Sequence, residues 1–239
     1  MVRLANRFIA VPVLTLQPEI TRIRAEGRGE EVDLVTRAFF KASVMMGAFA
    51  AAAIAACANP LIELASGRQF LGAHATLILM AASIPLTAMT APLTAVMKAL
   101  DGVRAAFYCD LAWACVYIAL MVSLASSLGL AGTGWAQLLA SLVQFGIALR
   151  LATVRPRTAS AFATLLRSLA CAAAAFAPAW LVLHAGLPLL AVGGAAIVSP
   201  WIFVQLARRG QVWSGEERER VRSVLARRGV GPALMWFVP

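Results

Sequence analysis

Charge is what this chain of 239 residues has least of: 13% of its residues are charged, while 61% are hydrophobic. A water-soluble domain carries about 25% charged residues. That shortfall, with a mean hydropathy of +0.81, excludes an ordinary soluble globule, although length alone would permit one or two. Acidic residues are the scarcer sign, eleven against twenty-one basic ones, for a formal net charge of +10. The excess is not a nucleic-acid signature, because the basic residues punctuate connections instead of forming a patch with interleaved aromatics. Membrane lipids with anionic headgroups are the partners expected of arginines so placed. Histidine occurs twice, His74 and His184, neither near a ligand partner in sequence. The four cysteines (Cys57, Cys109, Cys115, Cys171) lie in or at the ends of apolar stretches, with no Cys-x-x-Cys spacing. They read as packed apolar thiols and not as a metal or redox site. There is no nucleotide-binding loop, no pair of catalytic carboxylates and no Ser/His/Asp set. The chain is accordingly not read as an enzyme, and it asks for no cofactor or metal.

What the chain does have is six apolar stretches of transmembrane length, at about 42–64, 71–97, 105–128, 131–151, 161–184 and 187–207. About twenty apolar residues cross the hydrocarbon core as a helix, and a spanning backbone must satisfy its own polar groups. The expected class is all-α, a polytopic membrane bundle of about six helices. Asn59-Pro60 is expected to break the first span near its far end, with Gly67 in the turn that follows. Tight hairpins are expected at Gly129-Leu130-Ala131-Gly132 and at His184-Ala185-Gly186-Leu187-Pro188.

The basic residues alternate with the spans. Arg22, Arg24, Arg28, Arg37 and Lys41 precede the first span; Lys98 and Arg104 follow the second; Arg150, Arg155, Arg157 and Arg167 follow the fourth. With seven arginines in the tail these make 18 of the 21 basic residues, against Arg68 alone on the opposite side. The positive-inside rule makes the basic connections and the C-terminus cytoplasmic. The chain then divides into the end of a preceding helix plus a cytoplasmic loop (1–41), four transmembrane helices (42–151), two more (152–207), and a cytoplasmic tail (208–239). In that tail Ser214-Gly215-Glu216-Glu217 has capping-box spacing. Val221, Val224 and Leu225 share one face of the short amphipathic helix expected after it.

Residues 8–16 are apolar but too short to span, and Arg3 and Arg7 precede them. Pro12 interrupts the run and no small-x-small cleavage site follows, so a signal peptide does not fit. The run reads as the cytoplasmic end of a helix whose start is missing from the chain.

The order of several short motifs carries a resemblance. Pro12…Leu16-Gln17-Pro18…Ile23-Arg24-Ala25-Glu26-Gly27-Arg28 resembles the end of the eighth helix and the following cytoplasmic loop of polysaccharide flippases. These belong to the superfamily of the MATE drug exporters and the lipid II flippases. The stretch from Pro60 to Ala73 resembles that family's leucine- and glycine-containing turn. Ala99-Leu100-Asp101-Gly102 is similar to the turn before its eleventh helix, and Leu128 to Ala136 to the hairpin after it. The likeness covers roughly residues 8–150 and extends to the last two spans by position only. It implies helices nine to fourteen of a fourteen-helix flippase. The N-terminal lobe would be absent and would come from elsewhere, as a missing lobe or a partner chain. It also implies the cell inner membrane, alternating access, and an anionic lipid-linked oligosaccharide held at a cationic cleft.

Within the spans, Ser83, Thr87, Thr90, Thr94 and Lys98 recur at helical steps and share one face. Pro85 and Pro92 loosen the same helix. Two readings stand: a polar stripe facing a hydrated cleft, or hydroxyls bonded back to the preceding turn. Gln137, Ser141 and Gln144 repeat the theme in the fourth span, and glutamines in hydrocarbon are expected to face the bundle interior. Gly47, Ala51 and Ala55 form a small-residue ridge for helix packing. Asp110 is expected to pair with Arg104 or with a residue of a neighbouring lobe. Lys41, Lys98 and Arg104 sit at cytoplasmic helix ends, where they snorkel to lipid phosphates or guide an anionic substrate. Under the flippase resemblance the residues assigned to substrate are Arg3, Arg7, Lys41, Thr87, Thr94, Lys98, Gln137 and Gln144. A multidrug exporter of the same superfamily and a non-transporting six-helix membrane subunit are the alternatives.

Overall fold

A computed structural model of the chain describes residues 16–100, 102–152, 158–184 and 189–209, together with residue 219. Arg3, Arg7, the 185–188 hairpin and the amphipathic tail helix lie outside the described residues. Helix α1 covers residues 16–25. Then follow α2 (Gly29–Ala56), α3 (Ala58–Ser66), a 3-10 segment (Arg68–Ala73), α4 (His74–Leu100), α5 (Val103–Leu128), α6 (Leu130–Leu151), α7 (Thr158–His184) and α8 (Leu189–Arg209). No strand occurs among the described residues.

Leu16, Ile20 and Ile23 recur at helical spacing and are fully buried, so α1 packs one apolar face against Val32, Val35, Ala95 and Val96. The helix closes on Gly27 (φ 73°), whose amide donates to the Arg24 carbonyl while that of Arg28 donates to Ile23. This Schellman pattern needs a left-handed residue, which glycine supplies without a Cβ penalty. Arg24 Nη1 reaches the Leu100 carbonyl at 3.1 Å, tying α1 to the end of α4.

The loop expected up to residue 41 is shorter than the charges suggest, because α2 already starts at Gly29. Asp33 pairs with Arg37 one turn on, and Val32, Val35, Ala38 and Phe40 bury the opposite side. Charged residues thus sit on a helix whose other face is apolar, so Arg37 and Lys41 belong to its first turns. The first span also ends earlier than Pro60. Helix α2 stops at Ala56, four residues before the proline, whose ring collides with the carbonyl at that position. Leu61 still donates to Cys57 at 3.0 Å, so α3 continues the path after a bend. The other spans match their helices within three residues at each end.

Five helical stretches among the described residues are long and apolar enough to cross a membrane: Glu31–Ala56, Arg68–Leu100, Val103–Leu128, Leu130–Leu151 and Ala161–Val182. Across the bundle the helices lie in the order α8, α7, α2, α4, α6, α5, with α5 also touching α4. The outermost, α5, exposes Phe107, Leu111, Ile118 and Val122 on one side. Large apolar side chains facing outward suit lipid and not water, and the protein is a multi-pass membrane helical bundle.

Small residues set the helix approaches. Gly47 of α2 lies against Pro85 and Ala88 of α4, and Ala51 joins the same contact. Gly129 is the only residue between α5 and α6. Gly132 of α6 abuts the Leu124 backbone, and Gly134 abuts Leu79 of α4. The expected ridge and hairpin are therefore packing devices.

At the end of the bundle where α1 meets α2, Arg22, Glu26, Arg28 and Glu31 form an exposed ion-pair chain. The Arg28 guanidinium and then that of Arg22 hydrogen-bond Glu26 and hold its carboxyl below the ordinary value. A depressed carboxyl stabilises the fold above the unfolded value of about 4.3, and its contribution disappears as pH falls through the folded one. Amide protection factors at residues 26–31, each taken against the intrinsic exchange rate at the same pH, should therefore fall in acid below that value and stay level from pH 5 to 8. Unchanged protection in acid would mean that the chain of ion pairs does not hold this turn.

Candidate functional site

Helix α4 is buried along two arcs. Ile84 and Ala88 meet α2, whereas Leu79, Leu86, Leu93 and Met97 belong with α6 and its neighbours. The hydroxyl stripe occupies the arc between them. Ser83 and Thr90 are buried there, Thr87 and Thr94 are half-buried, and Lys98 is exposed at the end. Each hydroxyl donates to its own helix: Ser83 to Met80 at 2.7 Å, Thr87 to Ser83 at 3.2 Å, Thr90 to Leu86 at 2.9 Å, and Thr94 to Ala91 at 2.9 Å. The second of the two readings of the stripe thus describes its donors. A hydroxyl so engaged keeps acceptor capacity.

Helix α6 has a matching arc. Gly134 and Phe145 face α4, while Gly132 and the backbone of Gln144 face α5. Gln137 and Gln144 fall between, both half-buried. Successive spans reverse direction, so α4 and α6 run parallel. Counted round from their mutual contact, the hydroxyl arc lies in one rotational sense on α4 and the glutamine arc in the opposite sense on α6. For two parallel helices facing each other that is the same side. The stripe and the glutamines therefore line one groove, with α5 as its far wall.

The α5 wall is joined to α6 by polar bonds. Gln144 Nε2 donates to Asp110 Oδ1 at 3.0 Å, and Cys109 Sγ donates to the Gln144 carbonyl at 3.5 Å. The partner of Asp110 is thus Gln144 and not Arg104, because α5 turns Asp110 toward α6. Gln137 Nε2 points to Ser141 Oγ of its own helix at 3.4 Å. One and two turns deeper than Asp110 on the same side of α5 stand Trp113 and Tyr117. Their rings are parallel within 3°, with centroids 5.4 Å apart. Both are half-buried. Sequence reasoning passed over this pair, although the spacing Asp110-x-x-Trp113-x-x-x-Tyr117 was the available signal.

Thr87 and Thr94 thus share one arc of α4 and Gln137 and Gln144 one arc of α6, and Lys98 is exposed at the end of the α4 row. Lys41 is elsewhere: it lies on the arc of α2 that carries Ala38, Ala42 and Met45 toward α7, and it has an interaction of its own. Of the thiols, Cys109 is buried, Cys57 and Cys171 are half-buried and Cys115 is exposed, all four free. Among the described residues no three His, Cys, Asp or Glu side chains gather where a metal ion could sit. The arrangement can do non-covalent chemistry: it offers hydroxyl acceptors, amides that donate and accept, and one carboxylate.

Compared with protein-family models, with curated proteins and with solved structures, the chain matches none of them.

Proposed function

We propose that the protein is part of a membrane flippase that moves a polyprenyl-pyrophosphate-linked oligosaccharide across the bacterial inner membrane by alternating access, with its C-terminus cytoplasmic. The observation that carries this reading is the pair of polar arcs on α4 and α6, beside an outermost helix α5 that turns large apolar side chains outward. Polar groups inside a membrane are costly and usually line a path. A groove open along one side has a single wall, and a second lobe, as the motif resemblance implies, supplies the other. Lys98 and Arg104 stand at the basic end, where a pyrophosphate at the membrane surface first arrives, and arginine fits phosphate by its fork of donors. By the motif resemblance Arg3 and Arg7, outside the described residues, are assigned to the same anion. Rocking of the two lobes then turns the groove from one face of the membrane to the other.

The test is glycan export in cells whose own flippase is deleted and which make the complete protein. Replacing Arg3 and Arg7 together by alanine should cut export by roughly tenfold or more, the loss expected when charge-assisted bonds to phosphate disappear. Thr87→Val with Thr94→Val should cut it severalfold with little change in expression, since each hydroxyl bonds its own helix. Normal export in both double variants would sink the proposal.

A multidrug exporter of the same superfamily is the second reading, and one observation favours it: the Asp110 carboxylate lies in the groove wall, where a cationic drug needs one. Efflux of a lipophilic cation in the same cells, lost in Asp110→Asn, would establish it in place of the first.

A further inference from the structure

We propose that the edge of the α2–α4 contact is a docking site for residues 1–15, which continue α1 past Leu16 and turn Arg3 and Arg7 away from the bundle at membrane depth. The register comes from the turn at Gly27. Leu16, Ile20 and Ile23 of α1 share one cluster with Val32, Val35 and Phe39 of α2. Ile23 and Val32, Ile20 and Val35, and Leu16 and Phe39 stand at equal chain distances on either side of that turn. Such mirrored spacing belongs to an antiparallel helical hairpin. Ala95 and Val96 in the same cluster set α1 over the seam with α4.

The α2 row does not stop at Phe39. Ser43, Met46 and Ala50 prolong it at helical steps. It runs between Gly47 and Ala51, which meet α4, and Ala42, Met45 and Phe49, which meet α7. Val32 and Val35, next to α1, are buried, whereas Phe39, Met46 and Ala50 are half-buried. Ser43 is fully buried, and its hydroxyl has no hydrogen-bond partner among the described residues. Mirrored about the same turn, Ser43 falls opposite Pro12, and a proline leaves the carbonyl four residues before it without a donor. The hydroxyl supplies that donor.

The chain meets the end of this row at Leu16, so residues 1–15 reach it without an encounter between molecules, unlike a lipid or a second copy. As a helix they extend about 22 Å, and the row from Phe39 to Ala50 about 16 Å, at 1.5 Å per residue. Val13, Ile9, Ala5 and Val2 continue the face of Leu16, Ile20 and Ile23 at steps of three and four, and all are apolar. Arg3 and Arg7, one turn apart, fall on the opposite face. Their mirror positions, Ala52 and Ala48, lie about 16 and 10 Å beyond Lys41 along α2. Two guanidiniums so deep need an anion, and phosphate suits their forks. The docking stands apart from the flippase reading, to which it adds a place for the two arginines.

The experiment uses the 239-residue chain in phosphatidylcholine vesicles, with its four cysteines replaced by alanine and pairs of cysteines introduced. Ile9→Cys with Met46→Cys, and Ala5→Cys with Ala50→Cys, are mirrored pairs. Leu14→Cys with Met46→Cys is the control, because Leu14 falls on the face of the arginines. A short bis-methanethiosulfonate links the thiols, trypsin cuts at the arginines between them, and mass spectrometry counts the linked peptides. Both mirrored pairs should link within one chain at least roughly fivefold more than the control. Equal yields in all three, or no link in either mirrored pair, overturn the docking. Links between chains, read by mixing heavy- and light-isotope protein, overturn it in favour of a second copy. Missing links with export lost in the Arg3/Arg7 variants sink the docking alone; links present with normal export sink the flippase reading alone.

Discussion

Gly132→Ala should remove the α5–α6 hairpin from the folded protein, whereas Gly146→Ala in the same helix should leave stability unchanged or slightly raised. A methyl group on Gly132 would fall on the carbonyl carbon and oxygen of Leu124 and 2.8 Å from the Ala125 nitrogen. These are backbone atoms of the facing helix, so no rotamer change relieves the collision. Either the start of α6 moves away from α5 or the single-residue turn at Gly129 opens. Overpacking of side chains costs about 1–3 kcal/mol, and a collision with backbone is expected at or beyond the upper end of that range. A Cβ at Gly146 meets nothing within 4 Å. Alanine there gains roughly 0.5–1 kcal/mol of backbone entropy over glycine. Unfolding of both variants in detergent, followed by circular dichroism, checks the pair. Equal stability of Gly132→Ala and wild type would show that the hairpin is not closed on Leu124.

The second large effect concerns the central crossing. Gly47→Ala should loosen α2 from α4, and Ala88→Gly added to it should restore much of the loss. The new Cβ would stand 2.6 Å from the Ala88 Cβ, and next nearest are the Pro85 Cα at 3.2 Å and the Ile84 carbonyl oxygen at 3.4 Å. A Cβ is as fixed as the backbone it hangs on, so the first contact forces the helices apart. The other two are tight and tolerable with a shift of a few tenths of an ångström. Removing the Ala88 methyl therefore removes the worst of the three. A double-mutant cycle reads the coupling directly, and contacting residues show interaction energies of about 0.5–3 kcal/mol. Additive losses would mean that the two positions do not touch. The groove should respond too, because α4 carries its hydroxyls and α2 fixes how α4 is turned. Loss of glycan export in Gly47→Ala, recovered in the double variant, is the functional counterpart.

Much of the bundle was legible residue by residue. Apolar length placed α4 to α8 because a bilayer rewards any sequence that can bury about twenty apolar residues in a helix. Gly129-Leu130-Ala131-Gly132 located its hairpin because small residues are needed wherever two helices turn back at once. Helix α2 was harder. Arg37 and Lys41 look like loop residues on a hydropathy scale, yet Asp33–Arg37 pairing on one side and buried Val35 and Phe40 on the other make them helical. The break expected at Asn59-Pro60 comes one turn earlier, since a proline acts on the carbonyl four residues before it, and α2 ends at Ala56 where the span was expected to reach 64.

The groove divides in the same way. The steps of Ser83, Thr87, Thr90 and Thr94, and of Gln137 and Gln144, are periodicities within single helices, so local sequence was enough to put each set on one face. That the two faces open on the same side depends on how α4 and α6 are turned against each other at Gly134 and Leu79. No window of sequence contains both. Asp110 shows the limit most clearly: Arg104 was its near neighbour in the chain, whereas Gln144, thirty-four residues on, is its partner. By itself the sequence determined an α-helical membrane bundle, its α5–α6 hairpin and its polar faces, because hydropathy, helical period and turn chemistry all act within a few residues. Only the tertiary structure decided on which side of α4 and of α6 the polar arcs lie, that Lys41 faces α7, and that Asp110 pairs with Gln144. The reason is physical: a helix's rotation about its own axis is set by the neighbours it packs on, and those lie far away in the chain.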